Sequence, residues 1–218
     1  MNNVGQNWII RDRRISGIIT SVPILVVLIT SVPILAGLIT SVPILAKEKE
    51  EKINVSSELK RLKSKKINEK LSAIEKLGKA RDKTATKEII NELKTSKDSN
   101  VKSVAVITLG NVESEEADAV LKEIFLDGNE ELSVRLDALE ALSRKKDNAD
   151  TFNVLIKATE DKNPVIRRVA IGFLWQNFYS QKKNVIKPIL EKMLSDPEKD
   201  VSESVKQMLE VEKKLDKK

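Results

Sequence analysis

The chain has 218 residues, 33% charged and only 3% aromatic, with 39 Lys+Arg against 33 Asp+Glu for a net charge of +6, and it contains neither cysteine nor histidine. Disulfides are therefore excluded, and so are a Cys/His zinc site and a Ser-His-Asp or Cys-His catalytic unit. The seven glycines are scattered singly, so no glycine-rich phosphate loop exists either.

The first element is hydrophobic. From Ile15 to Ala46 no residue is charged, a run of 32 positions that exceeds the roughly 20 apolar residues needed to span a bilayer. It contains a ten-residue repeat in three copies, GIITSVPILV (17–26), VLITSVPILA (27–36) and GLITSVPILA (37–46), each with one proline, Pro23, Pro33 or Pro43. Such identity points to duplication of a short segment. Three readings stand: a secretory signal peptide led by Arg11, Arg13 and Arg14 and ending at Ala46, an uncleaved membrane anchor, and a buried soluble helix. The third is disfavoured by length, because the run exceeds ordinary globular helices. Signal-like reading exports residues 47–218, whereas the many lysines just after Ala46 favour the opposite orientation. Export, to the periplasm or the extracellular side, or a membrane anchor is the expectation. Residues 47–65 follow as a Lys/Glu-rich solvated linker ending in a short helix over Ser57–Ser64.

Beyond residue 66 the chain resembles itself. KLSAIEKLG (70–78), KSVAVITLG (102–110), RLDALEALS (135–143), RRVAIGFLW (167–175) and SESVKQMLE (202–210) align on Ala73, Ala105, Ala138, Ala170 and Val205. These anchors lie 32, 33, 32 and 35 residues apart, and Leu77, Leu109, Leu142, Leu174 and Leu209 repeat the same intervals. Periods of this size mean a stacked array in which each unit is a supersecondary element. Each unit reads as two helices. First helices start near Asp98-Ser99-Asn100, Gly128-Asn129-Glu130, Asn163-Pro164 and Asp196-Pro197, where N-cap residues and N-terminal prolines stand. They end near Gly78 and Gly110, where glycine would accept left-handed geometry. Second helices are expected over Thr84–Thr95, Ser114–Leu126, Asn148–Thr159 and Ser180–Leu194.

These residues resemble the HEAT-repeat family, in which an acidic residue and a proline precede the first helix and a valine and a base precede a small anchor. Val134-Arg135 leads here to Ala138, and Asp161-Lys162-Asn163-Pro164-Val165-Ile166-Arg167 leads to Ala170. The resemblance covers about residues 66–210 and implies an all-α, right-handed α-solenoid of four to five helix pairs, 66–218, preceded by the hydrophobic helical segment. Lys66 in place of the acid and Ser202 in place of the base depart from the pattern and suit capping end repeats.

Charge alternates along the chain: +2 over 1–46, +7 over 47–110, −8 over 111–161 and +5 over 162–218. A phosphate-tracking protein favours a continuous basic stripe, so nucleic acid is not the expected partner. Lys70, Lys102, Arg135 and Arg167 form a basic column three positions before each anchor, with Asp98, Glu131, Asn163 and Glu198 as a second column seven before it. This is either a charged binding stripe or a ladder of bonds joining neighbouring repeats; the resemblance favours the ladder. Asp147, Asp150, Glu160 and Asp161 lack the spacing of a calcium loop and are expected to cap helices.

The family resemblance implies that second helices line the concave face. Asn91, Lys122, Ile156 and Glu191, then Glu92, Glu123, Lys157 and Lys192, are their outward positions. Trp175 and Tyr179, one turn apart, form either an exposed anchor pair or core packing against the next repeat. The candidate partner-binding residues are thus Asn91, Lys122, Lys157, Glu191, Lys192, Trp175 and Tyr179. The expected function is a non-catalytic protein–protein interaction scaffold, exported or membrane-tethered through residues 15–46 unless these are cleaved, with another protein as partner and no metal or cofactor. Two alternatives rest on resemblance: a nucleic-acid-binding protein similar to HEAT-like alkylpurine glycosylases, and an enzyme similar to HEAT-like bilin lyases. Deoxyhypusine hydroxylase, another similar family, needs histidine ligands that this chain lacks.

Overall fold

The computed structural model describes residues 53–145 and 149–215, so the expected leader or anchor at 15–46 lies outside the described residues. Among the described residues every regular element is a helix: α1 (Val55–Leu62), α2 (Ile67–Lys79), α3 (Lys83–Thr95), α4 (Ser99–Gly110), α5 (Glu115–Leu126), α6 (Leu132–Ser143), α7 (Ala149–Ala158), α8 (Pro164–Met193) and α9 (Lys199–Leu215). None of them is long and apolar enough to cross a membrane.

Local chemistry sets the helix starts. The side chains of Asn54, Asp82, Asp98, Ser114 and Asn163 accept hydrogen bonds from backbone N–H groups of the first turns of α1, α3, α4, α5 and α8. Each such cap satisfies donors that a helix otherwise leaves orphaned, and is worth about 1 kcal/mol. Pro164 sits in the first turn of α8, where its missing N–H is harmless. Glu113, Glu115 and Glu116 sit at the start of α5, and the last two complement its dipole.

Four expectations need correcting. Gly78 and Gly110 do not adopt left-handed geometry; both lie inside helices, and the residue with positive φ is Arg81, at 51°. The glycines serve close approach instead. A Cβ at Gly78 would collide with the Thr108 side chain of α4, and one at Gly110 would lie 2.7 Å from Ala141 Cβ of α6. Second, the helix expected to start at Ser180 is the second half of α8, which runs for 30 residues with a single non-helical residue, Lys182 (φ −125°, ψ 29°). No glycine or proline stands between Phe178 and Lys187, so nothing stops the first half. Third, Asp196 does not start α9, which begins at Lys199; its carboxylate accepts the Glu198 N–H and is otherwise committed to Arg167. The short first helix spans Val55–Leu62 rather than 57–64, and it buries Leu62 against the body.

The stacking follows the period. The first helices α2, α4 and α6 pack in succession, and α1, α3 and α5 pack alongside them. The anchor column is fully buried: Ala73, Ala105, Ala138, Ala170 and Val205 are all at 0% exposure. Leu77, Leu109, Leu142, Leu174 and Leu209 are buried too, so both columns lie in one continuous core.

Candidate partner-binding surface

The basic column is bound internally. Lys102 Nζ lies 2.6 Å from Glu130, Arg135 Nη2 lies 2.5 Å from Asp161, and Arg167 grips Asp196 with Nε at 2.8 Å and Nη2 at 2.6 Å. Each cation thus reaches the acid that precedes the next repeat. The arginine forks also serve carbonyls near helix ends: Arg135 Nε donates to Phe125 O at 2.9 Å and Arg167 Nη1 to Asp161 O at 2.9 Å. Hydrogen bonding to Asp196 raises the Arg167 pKa despite burial, and the same bond lowers that of Asp196. The acid positions differ from the expected column. Asp98 and Asn163 cap helices, Glu131 precedes α6 without a side-chain cap bond, and the partners are Glu130, Asp161 and Asp196, one or two residues earlier than expected. Lys70 turns instead to Glu92 on α3, at 2.6 Å.

The second-helix positions separate into committed and available groups. Lys122 pairs with Asp150 at 3.1 Å and Glu123 with Lys94 at 2.8 Å, both across neighbouring second helices. Asn91 on α3, Lys157 on α7, and Glu191 and Lys192 on α8 are exposed, although Lys192 lies 3.5 Å from Glu160. Ile156 is half-buried and packs on the core. Asp150 and Asp161 are ion-paired, and Asp161 also accepts the Asn163 N–H; Asp147 lies outside the described residues.

Trp175 and Tyr179 sit on the first half of α8, away from the second-helix set. Their rings stack at 4.1 Å with a 32° tilt, and both are half-buried against the core. Beside them lies a group that sequence reading missed. Glu212 on α9 is only 4% exposed, 2.8 Å from Lys183 and 3.1 Å from Lys187. Hydrogen bonding from Lys183, opposed by burial and helped by Tyr179 and Lys187, lowers its pKa to about 2. Tyr179 precedes the break at Lys182 and both lysines follow it, so Glu212 ties the two halves of α8 together. Lys182 itself lies 4.7 Å from the Phe152 ring, which meets Phe178 at 5.3 Å. Nothing in the sequence singles out Glu212, since residues 206–214 hold two acids, Glu210 and Glu212, against three lysines.

Paired helices stacked on buried columns and joined by a cation–acid ladder define an α-solenoid. A family model described as HEAT repeats matches residues 57–143, from α1 through α6. Solved structures share the fold at 18% identity. One is the complex of CpcE and CpcF of phycocyanin lyase from Nostoc sp. PCC7120, with a TM-score of 0.52 over 78% of this chain and 68% of that one. YibA of Escherichia coli gives 0.50 over 74% and 60%, and a structure of Kap95p with RanGDP gives 0.50 over 71% and 21%. The chain therefore spans less than two-thirds of the latter two. A comparison with curated proteins finds no match.

Proposed function

We propose that the array is a non-catalytic scaffold that docks another protein on its second-helix surface. The observation that carries this reading is the contrast between columns. Anchor positions repeat as small or aliphatic residues at full burial, whereas the exposed second-helix positions differ between repeats: Asn91, Glu123, Lys157, Glu191 and Lys192. Constant packing with a varied outer surface suits selective recognition on a rigid support, which lowers the ordering cost of binding. The structure of Kap95p with RanGDP is one case in which this fold meets a protein partner. The test is affinity capture with full-length chain as bait, compared with a Lys157→Glu/Glu191→Lys variant. A partner retained by the parent and lost by the variant supports the reading; equal retention by both rejects this surface.

The uncharged segment 15–46 delivers or tethers the array to a membrane in this proposal. N-terminal sequencing after cell fractionation tests it: a start at Lys47 in an exported fraction marks a cleaved leader, and a start at Met1 in membranes marks an anchor. A soluble cytosolic chain starting at Met1 rejects both. The fold shared with a phycocyanin lyase complex favours one second reading, a lyase-type activity, which would show as chromophore absorbance on the purified protein.

A further inference from the structure

The connections from first to second helix of the first two repeats, residues 80–82 and 111–114, lie side by side. Gly78 of α2 touches Thr108 of α4, and Glu75, Lys79, Arg81, Ile107 and Asn111 line one groove between the helix ends. The two connections carry opposite charge. Lys79, Arg81 and Lys83 are exposed at the first, and Glu113, Glu115 and Glu116 at the second. Among the described residues none of these six side chains makes an ion pair or a hydrogen bond, unlike the ladder charges. The third connection differs: Lys145 is held by Asp118 at 2.6 Å and Arg144 by Glu140 at 3.3 Å.

Helix dipoles favour Lys79 at the end of α2 and Glu115 and Glu116 at the start of α5, but they do not account for the other three charges. Glu113 stands outside α5, and Lys83 is the first residue of α3, where a cation is unfavourable. Arg81 holds a left-handed backbone, a conformation that costs a non-glycine residue roughly 1–2 kcal/mol, at the place where glycine ordinarily follows a helix. A cation is kept there against that cost. Ile107, 42% exposed, lies in the groove with Lys79, Arg81 and Asn111.

We propose that this edge is a self-complementary interface for a second copy of the chain. A two-fold axis near Ile107 sets the basic patch of each copy on the acidic patch of the other, and Ile107 meets its own counterpart. Isologous pairing of this kind uses both patches at once, with an apolar centre and a charged rim. Because the rim is exposed, the association weakens with salt.

The test uses full-length chain in sedimentation velocity, in one mild detergent throughout, at about 50 mM and about 500 mM NaCl. A dimer is expected at low salt and largely monomer at high salt. Two triple variants reverse one patch each: Lys79→Glu/Arg81→Glu/Lys83→Glu and Glu113→Lys/Glu115→Lys/Glu116→Lys. Each alone is expected to be monomeric, and an equimolar mixture is expected to restore the dimer, because both rims then match. Carbodiimide coupling of mixed light and heavy isotope-labelled chains should join Lys79 or Lys83 of one copy to Glu113, Glu115 or Glu116 of the other. A monomer under all conditions overturns the proposal. So does association that ignores salt and both variants, which would lie elsewhere in the chain, and so does a mixture that stays monomeric. Circular dichroism of each variant confirms that loss of the dimer is not loss of the fold.

Discussion

Three glycines in helices have three different surroundings, and their substitutions have different signs. Alanine in a helix is ordinarily more stable than glycine by about 1 kcal/mol. At Gly172 an added Cβ meets nothing within 4 Å, so Gly172→Ala should raise stability by about 0.5–1 kcal/mol. At Gly110 the same Cβ lies 2.7 Å from Ala141 Cβ and 3.3 Å from Ala141 Cα. The backbone of α6 must shift, and overpacking of this kind costs about 1–3 kcal/mol. Gly110→Ala should therefore give no gain and lower stability by up to about 2 kcal/mol after the helix gain is subtracted. Urea denaturation of the two variants checks both signs; a stabilised Gly110→Ala would refute the close packing of α4 on α6. The glycines were plain in the sequence and their purpose was not, because a glycine at a helix end looks the same whether it turns the chain or admits a neighbour. Glu212 was hidden for a similar reason: its burial depends on lysines 25 and 29 residues away. Its folded pKa of about 2 lies below its ordinary 4.5, so its contribution is complete above about pH 4.5 and disappears as pH falls toward 2. Glu212→Gln should lower stability at neutral pH by about 1–3 kcal/mol. The gap from the parent should narrow across that window, which thermal melts in a pH series would show.

The ladder that joins repeats belongs to the scale of elements. Arg167 makes two bonds to Asp196 and one each to the carbonyls of Asp161 and Lys162, so it joins the end of the third repeat to the start of the fifth. Arg167→Ala leaves Asp196 with little exposure and no cation, which should cost about 2–4 kcal/mol. Asp196→Ala should cost less, since the guanidinium keeps its carbonyl partners. A double-mutant cycle should return a coupling of about 1–3 kcal/mol; a value near zero would mean that the pair is screened like an ordinary surface bridge. The sequence made the repeating cations legible because a period of about 33 residues places them three before each buried anchor. The acid partners were misplaced by one or two residues because the connections differ in length, and spacing cannot resolve which of Glu130 and Glu131 turns inward. Helix bounds were legible where a cap residue met the apolar period at Asp98, Ser114 and Asn163, but not at Asp196, whose carboxylate is held by Arg167. They failed before Lys182, where a new helix is expected to start at Ser180 and nothing in the polar run 180–184 prevents the preceding helix from continuing.

At the scale of the whole array, stability passes between neighbours. Segment charge was legible from composition, but not which charges are held within the array. In the acidic stretch 111–161, Asp118 and Asp161 pair with Lys145 and Arg135 of the same stretch, which leaves its −8 unchanged, whereas Glu130 is held by Lys102 of the preceding repeat. The ends differ in how they are closed. At the start, Glu58 of α1 is nearly buried and bonded to Arg61 at 2.9 Å and Lys76 at 3.3 Å, which covers the outer side of α2 with a polar layer. At the far end α9 packs on α8 and leaves Val211 46% and Leu215 63% exposed. In an array with nearest-neighbour coupling, a helix with neighbours on both sides opens only with them, whereas an end helix can fray alone. Native-state hydrogen exchange should therefore show α4 and α6 as the slowest segments and the last two turns of α9 as faster by at least about tenfold, that is by about 1.4 kcal/mol or more. Glu212→Gln should widen this gap by speeding exchange in α9 while leaving α4 nearly unchanged. Equal acceleration throughout would instead show that the repeats open as one cooperative unit.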